Sequence, residues 1–373
     1  MKKQGPTPRQ SLLALRPYEA AAAGRVLPRH NLSANESCLG PSSAGIEAAA
    51  AACRNLELYP DGGSTSLRKA LGSRFVLDPE AIVCGAGSEE LISLIVQAYA
   101  EPGDEVLFSH HGFIKYELAT HAVGAVPIRA PETDFTADID ALIEAVTPRT
   151  QILFLANPNN PTGTFVPARD VRRLREELRQ DILLVVDAAY AEYISRADYD
   201  DGLMLARETS NTLVLRTFSK IYGLAGLRVG WGFGSRALID TLNKVRGAFN
   251  VSAIAQAAAT AAIHDLDHES RARQHNDRWL PWLSDRLAGL GLMVVPSVCN
   301  FVMVRFTDPA TAQAAERALS AQGVLTLRLA GYGLPEALRI TVGTAEANEA
   351  VIAALAQAGL SARAAFQDSE GAP

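Results

Sequence analysis

Lys220 is the residue from which the chemistry of this chain can be read. It stands in "RTFSKIYGLAGLRVGW", residues 216–231, after a strand-like apolar run, with small residues and then Arg228 behind it. A surface lysine needs no such setting. A lysine that must meet a carbonyl group at a fixed point needs a rigid strand end, slim neighbours and something to hold its partner. Three more polar clusters follow apolar runs in the same manner. "GAGSEE" follows "AIVC" and opens a helix whose first amides, near Ser88 and Glu89, point outward unpaired and favour an anion such as phosphate. "NPNNPTG" follows "QILFLA", and "DAAY" follows "ILLVV", which puts Asn160, Asp187 and Tyr190 just beyond strand ends.

Together these residue types meet the needs of a pyridoxal phosphate site. Such a site requires a lysine to hold the cofactor aldehyde, a carboxylate to keep the pyridine nitrogen protonated, donors to the ring hydroxyl, and cationic or hydroxyl groups around the phosphate. Each requirement has a candidate here.

The elements that must position them read as α/β. Short apolar runs ("AIVC", "GDEVLFS", "TQILFLA", "DILLVVD", "NTLVLRTFSK") alternate with amphipathic segments such as "ARDVRRLREELRQ". That alternation predicts a mainly parallel sheet, in which ligands collect beyond the carboxyl ends of the strands. From about residue 265 the pattern changes to a long charged helix, the strand "NFVMVRF", the helix "DPATAQAAERALSAQG" and the strand "LRITVG". The expected organisation is an N-terminal arm over 1–40 packing with the small domain, a large cofactor-binding domain over 41–264, a small α+β domain over 265–362, and a disordered tail over 363–373.

Composition bounds the function. A chain of 373 residues with 48% hydrophobic and 20% charged residues can bury a large core, and its net charge of −6 gives no electrostatic reason to expect nucleic acid or an anionic membrane. Small molecules are the expected partners. Cys38, Cys53, Cys84 and Cys299 lack metal-ligand spacing and read as reduced thiols. No apolar signal core follows "MKKQGPTPRQ", and no stretch approaches about twenty uninterrupted apolar residues, so the cytoplasm is the expected compartment. His264 and His268 in "HDLDH" have metal-ligand spacing on a helix, but without convincing further ligands a solvated helical face is expected.

Over nearly its whole length the chain resembles fold-type I aminotransferases, and specifically the histidinol-phosphate aminotransferase family with its broad-specificity aromatic members. The resemblance rests on "LSANES", "YPDGGSTSLR", "GAGSEEL", "NPNNPTGT", "RTFSKIYGLAGLRVGW", "NVSAIAQ", "PSVCNFV" and "YGLPEALRITVG", in the family's order and spacing. It implies a large domain built on a mainly parallel seven-stranded sheet, a smaller α+β domain, and pyridoxal 5'-phosphate as cofactor.

Residue by residue, the resemblance assigns Lys220 to the aldehyde, Asp187 to the pyridine nitrogen, and Tyr190 and Asn160 to the ring hydroxyl. Arg228, Thr217, Ser219 and the amides at Ser88 and Glu89 would surround the phosphate; a guanidinium suits that task through paired hydrogen bonds. Phe113 matches the aromatic residue that stacks on the ring, although "SHHGF" departs from the commoner Pro-Thr before that aromatic and leaves His110 and His111 without a role. Arg339 matches the arginine that binds the substrate's acidic group, Arg328 a second anion-binding position, and Tyr18 and Asn35 residues near the substrate. Tyr59 resembles the tyrosine that reaches the phosphate in the neighbouring subunit, which implies a homodimer with shared sites.

The implied activity is transamination between L-histidinol phosphate and 2-oxoglutarate in histidine biosynthesis, with Lys220 moving the proton. An aromatic amino acid (Phe/Tyr) aminotransferase is the alternative. A related phospho-amino-acid decarboxylase would share nearly every cofactor residue, and carbon dioxide release distinguishes it. A non-enzymatic pyridoxal-phosphate sensor would need an added DNA-binding domain, of which the sequence carries no sign.

Overall fold

The apolar runs do become neighbouring strands, and their order explains how residues far apart in sequence share one edge. The computed structural model describes residues 8–13 and 28–359; Tyr18 and the segment 363–373 lie outside them. Seven strands form the large sheet: β1 (Ile82–Gly85), β2 (Glu105–Ser109), β3 (Val126–Ala130), β4 (Thr150–Ala156), β5 (Leu183–Asp187), β6 (Thr212–Thr217) and β7 (Gly230–Gly234). Their spatial order is β1-β7-β6-β5-β4-β2-β3. Only β7 runs antiparallel to its neighbours.

This is the α/β fold with a mainly parallel seven-stranded sheet that the sequence led us to expect. Two strands escaped the pattern of apolar runs. β3 lies at the sheet edge with exposed residues, and β7 reads "GWGFG". Glycine is required in β7 because backbone comes close: a Cβ at Gly230 would stand 2.5 Å from the Ser88 amide nitrogen.

Residues of the central strands are buried on both faces, as expected where helices cover a parallel sheet. Helix α1 (Ser88–Tyr99) buries Leu91, Ile92, Ile95 and Val96, and α2 (Ile114–Val123) buries Tyr116, Ala119 and Thr120. Helix α3 (Ala168–Glu177) lies against the opposite core.

A second sheet, all antiparallel, contains β8 (Met293–Val295), β9 (Phe301–Arg305), β10 (Leu327–Leu329) and β11 (Leu334–Thr341) in the order β8-β9-β11-β10. Helices α4 (Leu266–Gly289), α5 (Pro309–Ala321) and α6 (Ala345–Gln357) share one core with it, through Leu283, Leu287, Leu319 and Leu355 against Val302, Val304, Leu338 and Ile340. The short strand His30–Asn31 pairs in parallel with Val324–Leu325 of this smaller unit, whereas the turn Gln10–Leu12 lies against α2 of the large one, where the Arg9 guanidinium donates to the Ala122 carbonyl oxygen.

His268 differs from the solvated residue expected. It is buried at the start of α4, with Nε2 3.1 Å from the Gly40 carbonyl oxygen. A helix that closes on the preceding arm has to bury its first turn. Among the described residues no group of three or more His, Cys, Asp or Glu is placed to hold a metal ion, and no helix is long and apolar enough to cross a membrane.

Candidate active site

Register puts the carboxyl ends of β1, β2, β4, β5 and β6, together with the start of β7, on one edge of the large sheet. Asp187 is level with Ala156 on one side and Leu215 on the other, and Gly230 is level with both Thr217 and Gly85. The segments that follow carry the residues singled out in the sequence.

Asp187 ends β5 and is buried. Its Oδ2 accepts a 2.8 Å hydrogen bond from the Tyr116 hydroxyl, while Oδ1 has no partner. Burial pushes this carboxyl up to about 6, partly offset by the Tyr116 hydroxyl, then the Ala189 backbone amide and the charge of Lys220. Lys220, just past β6, is half-buried, with Nζ 3.0 Å from the Ala34 carbonyl oxygen and 5.5 Å from the centre of the Tyr190 ring. Burial, then the charges of Arg339 and Arg228, bring its amine down to about 7. An amine near neutrality at pH 7 can act as a nucleophile and exchange protons.

Tyr190 is held from two sides. Asn35 Nδ2 donates to its hydroxyl oxygen at 2.8 Å, and its ring meets Phe301 edge to face at 5.4 Å. Burial pushes its phenol upward. Asn35 itself is fully buried with φ +55, and its backbone amide and side-chain oxygen both engage the Thr341 hydroxyl. Its polar groups are committed to protein, so the structure places it behind Tyr190 and not free to meet a substrate.

The anion pole lies at the start of α1. Arg228, at φ +51, donates to the Ser219 hydroxyl at 3.2 Å, and Ser219 in turn donates its backbone amide to the Thr217 hydroxyl at 3.1 Å. The Arg228 guanidinium covers Gly87, the residue before Ser88, where a Cβ would stand 2.7 Å from Nη2. The Glu89 carboxylate lies 3.7 Å from Arg228, which leaves the backbone amides as the anion donors of this turn. Phe113 caps α2 and is half-buried, edge-on to Tyr116 at 5.9 Å.

Arg339 and Arg328 do not come together. Arg339 on β11 donates to Asn160 Oδ1 and, at 2.5 Å, to the Ser33 carbonyl oxygen, with Nε buried and unpartnered. Arg328 on β10 is level with Leu338, which faces the helices, and its Nε lies 3.8 Å from Glu316 on α5. The residue level with Arg339 is Leu327. The expectation of a second anion-binding arginine at Arg328 is therefore corrected: strand alternation turns its side chain to the face opposite Arg339. Tyr59 does not join the site of its own chain. It is 82% exposed and stacks on Phe249 at 4.7 Å.

Sequence reasoning missed Tyr116 and Ala34. Tyr116 lies three residues after Phe113 on a helix, a spacing that puts both on one face, and that was its available signal. Ala34 offers only a carbonyl oxygen, which no sequence pattern marks.

The arrangement fits a flat aromatic cofactor with a phosphate at one end and a protonatable ring nitrogen at the other. Asp187 Oδ1 is a buried acceptor waiting for a donor, Phe113 offers a ring face, and Arg228 with the α1 amides offers an anion cradle. Pyridoxal phosphate has those three parts and an aldehyde, and Lys220 is an amine on the same sheet edge.

Comparison with known proteins points to one family. The family model described as aminotransferase class I and II matches residues 29–355. The chain is 53% identical over 357 residues to the histidinol-phosphate aminotransferase of Paramagnetospirillum magneticum, covering 94% of this chain and 98% of that protein. It is 47% identical over 359 residues to the enzyme of that name from Rhodopseudomonas palustris, covering 94% and 98%. Among solved structures, histidinol-phosphate aminotransferase from Sinorhizobium meliloti in complex with pyridoxal-5'-phosphate superposes with a TM-score of 0.88 at 28% identity, over 96% of this chain and 98% of that one.

Proposed function

The chain belongs to the class I and II aminotransferases, and on that premise we propose that it transfers the amino group of L-histidinol phosphate to 2-oxoglutarate with pyridoxal 5'-phosphate as cofactor. The observation that carries the reading is the buried, unpartnered Oδ1 of Asp187 on the same sheet edge as the near-neutral amine of Lys220. The choice of donor is supported by the names of relatives 53% and 47% identical to this chain.

When bound, the cofactor supplies an electron-withdrawing ring that makes the donor's amine-bearing carbon acidic. The protein's residues do the rest. Nζ of Lys220 would hold the cofactor by its aldehyde, and as an amine near neutrality it is the group that would accept and return the proton of the donor's amine-bearing carbon. Asp187 Oδ1 would keep the ring nitrogen protonated. Tyr190 and Asn160 would bond the ring hydroxyl, while Arg228, Thr217, Ser219 and the amides of Ser88 and Glu89 would bind the phosphate. Arg339, held by Asn160 and Ser33, pairs with the anionic group of donor or acceptor.

Two features support a homodimer in which Tyr59 reaches the neighbouring subunit. Leu56, Leu58 and Tyr59 are exposed apolar side chains around Glu57, and Phe249 stacks against the tyrosine. Cys38, Cys53, Cys84 and Cys299 are free thiols, as suits the reducing cytoplasm, where the reading places the enzyme.

A second reading, an aromatic aminotransferase, is favoured by one observation: the strand position level with Arg339 is the apolar Leu327, and Arg328 faces away. The test is kcat/KM for histidinol phosphate, phenylalanine and tyrosine with 2-oxoglutarate. Histidinol phosphate should lead. If it is inert while the aromatic donors turn over, the second reading replaces the first; release of carbon dioxide without amino transfer would sink both.

A further inference from the structure

Tyr116 has no part in the function set out above, yet among the described residues it makes the one side-chain hydrogen bond on Asp187. Its ring is fully buried and stacks on Phe154 at 4.5 Å with 7° between planes. Phe154 belongs to β4, the strand beside Asp187's own. The hydroxyl therefore has a fixed position, set by a helix on one side and the sheet on the other. Burial and the neighbouring carboxylate hold the phenol well above its ordinary value, so it stays a donor.

We propose that Tyr116 is a positioning residue: its hydroxyl fixes Oδ2 of Asp187 so that Oδ1 is presented, ionised, to the ring nitrogen of the cofactor. The proposal rests on the reading of Asp187 as the partner of that nitrogen. Without the hydroxyl, only the Ala189 backbone amide and the Lys220 charge would oppose burial at this carboxyl, which shifts it toward its neutral form, and a neutral carboxyl holds a protonated ring nitrogen poorly. A hydroxyl donating to one oxygen favours the ionised form and stops the group rotating. The start of one helix thus serves two ends of the same requirement, since Phe113 at the N-cap of α2 offers the ring face and Tyr116, three residues on, offers the hydrogen bond that orients the acid.

The alternative is that Tyr116 only fills the core and its hydroxyl happens to be satisfied. A double-mutant cycle separates the two. Pyridoxal phosphate affinity is measured at equilibrium for wild-type apoprotein, Tyr116→Phe, Asp187→Asn and the double variant, with thermal melts to establish that each is folded. We expect Tyr116→Phe to raise Kd about ten-fold, the scale of one hydrogen bond to a charged group, and less than about two-fold when Asp187 is already asparagine. An equal effect in both backgrounds, or none in either, overturns the proposal. If Asp187→Asn itself leaves Kd unchanged, the reading of Asp187 fails instead, which is a separate result.

A second readout needs no cofactor. Asp187 is held up to about 6 with the hydroxyl in place. Removing the hydroxyl should push the carboxyl higher, so the stability that wild-type apoprotein loses as pH rises through about 6 should in Tyr116→Phe go on being lost at higher pH. Superimposable pH profiles would overturn the proposal as well.

Discussion

Nζ of Lys220 lies 3.0 Å from the carbonyl oxygen of Ala34, a residue of the N-terminal arm that sits 186 positions earlier. The contact ties the reactive amine to the segment 33–35, whose Ser33 and Asn35 hold Arg339 and Tyr190, in a setting where burial and the charges of Arg339 and Arg228 bring that amine down to about 7.

A lysine with its pKa lowered to about 7 is half free amine at neutral pH. Pyridoxal phosphate should therefore combine with the apoprotein at a rate that rises about ten-fold per pH unit below pH 7 and levels off above it. Stopped-flow absorbance across pH 5.5 to 9.5, on the order of these limits, reads the profile. A midpoint above 9 would contradict the environment described for Lys220, and Lys220→Ala should show no visible band of linked cofactor at any pH.

Asp187 should cost stability while it serves catalysis. Its pKa is raised in the folded chain, from 3.8 to about 6, so its contribution is fully present below pH 3.8 and is lost as pH rises through 6. A difference of roughly two units corresponds to about 3 kcal/mol. Asp187→Asn apoprotein should then be more stable than wild type at pH 8 by up to about that amount in denaturant melts, while kcat falls by about 10²-fold or more. A variant that loses stability at pH 8 would contradict the unpaired burial of Oδ1.

Arg339 and Arg328 should differ sharply. Arg339→Ala removes the buried guanidinium beside Asn160 and should lower kcat/KM for every donor by about 10²-fold, the scale of a lost paired hydrogen bond to an anion. Arg328→Ala, on the helix face with Glu316, should change kcat/KM by less than about three-fold. Selective damage to the phosphorylated donor by Arg328→Ala would mean that β10 presents its other face during turnover.

Tyr59 tests the assembly. Sedimentation should give a dimer, and Tyr59→Phe should weaken cofactor retention by about 1.5–3 kcal/mol, one hydrogen bond to a charged group. Phe249→Ala should have the same sign, since it removes the ring on which Tyr59 is stacked. A fully active monomer would end the shared-site reading.

The chain order of the strands and the residues that follow them were legible in sequence because burial leaves a continuous apolar run and function leaves polar residues at its end. Lys220, Asp187, Asn160 and Arg228 stand out for that reason, and so does the α/β class. β7 did not stand out, because close backbone approach at Gly230 calls for glycine and removes the apolar signal. His268 read as solvated because a helix start looks alike whether it meets water or the arm at Gly40.

What only the tertiary structure decided is which side chains meet and which face they take. Tyr116 reaches Asp187 across 71 residues, and Asn35 reaches Tyr190 across 155, through a sheet order in which neighbours in space are not neighbours in chain. Arg328 and Arg339 looked equivalent as sequence, two arginines in one small unit. β10 is three residues long with an irregularity between Arg328 and Leu329, so its alternation is too short to reveal its phase, and only pairing with β11 fixes which residues face Arg339's side. Sequence set the types of residue and their places along each strand through local sterics and burial. Position across the sheet and the facing of short strands came from hydrogen-bonded pairing with distant segments, which no local pattern encodes.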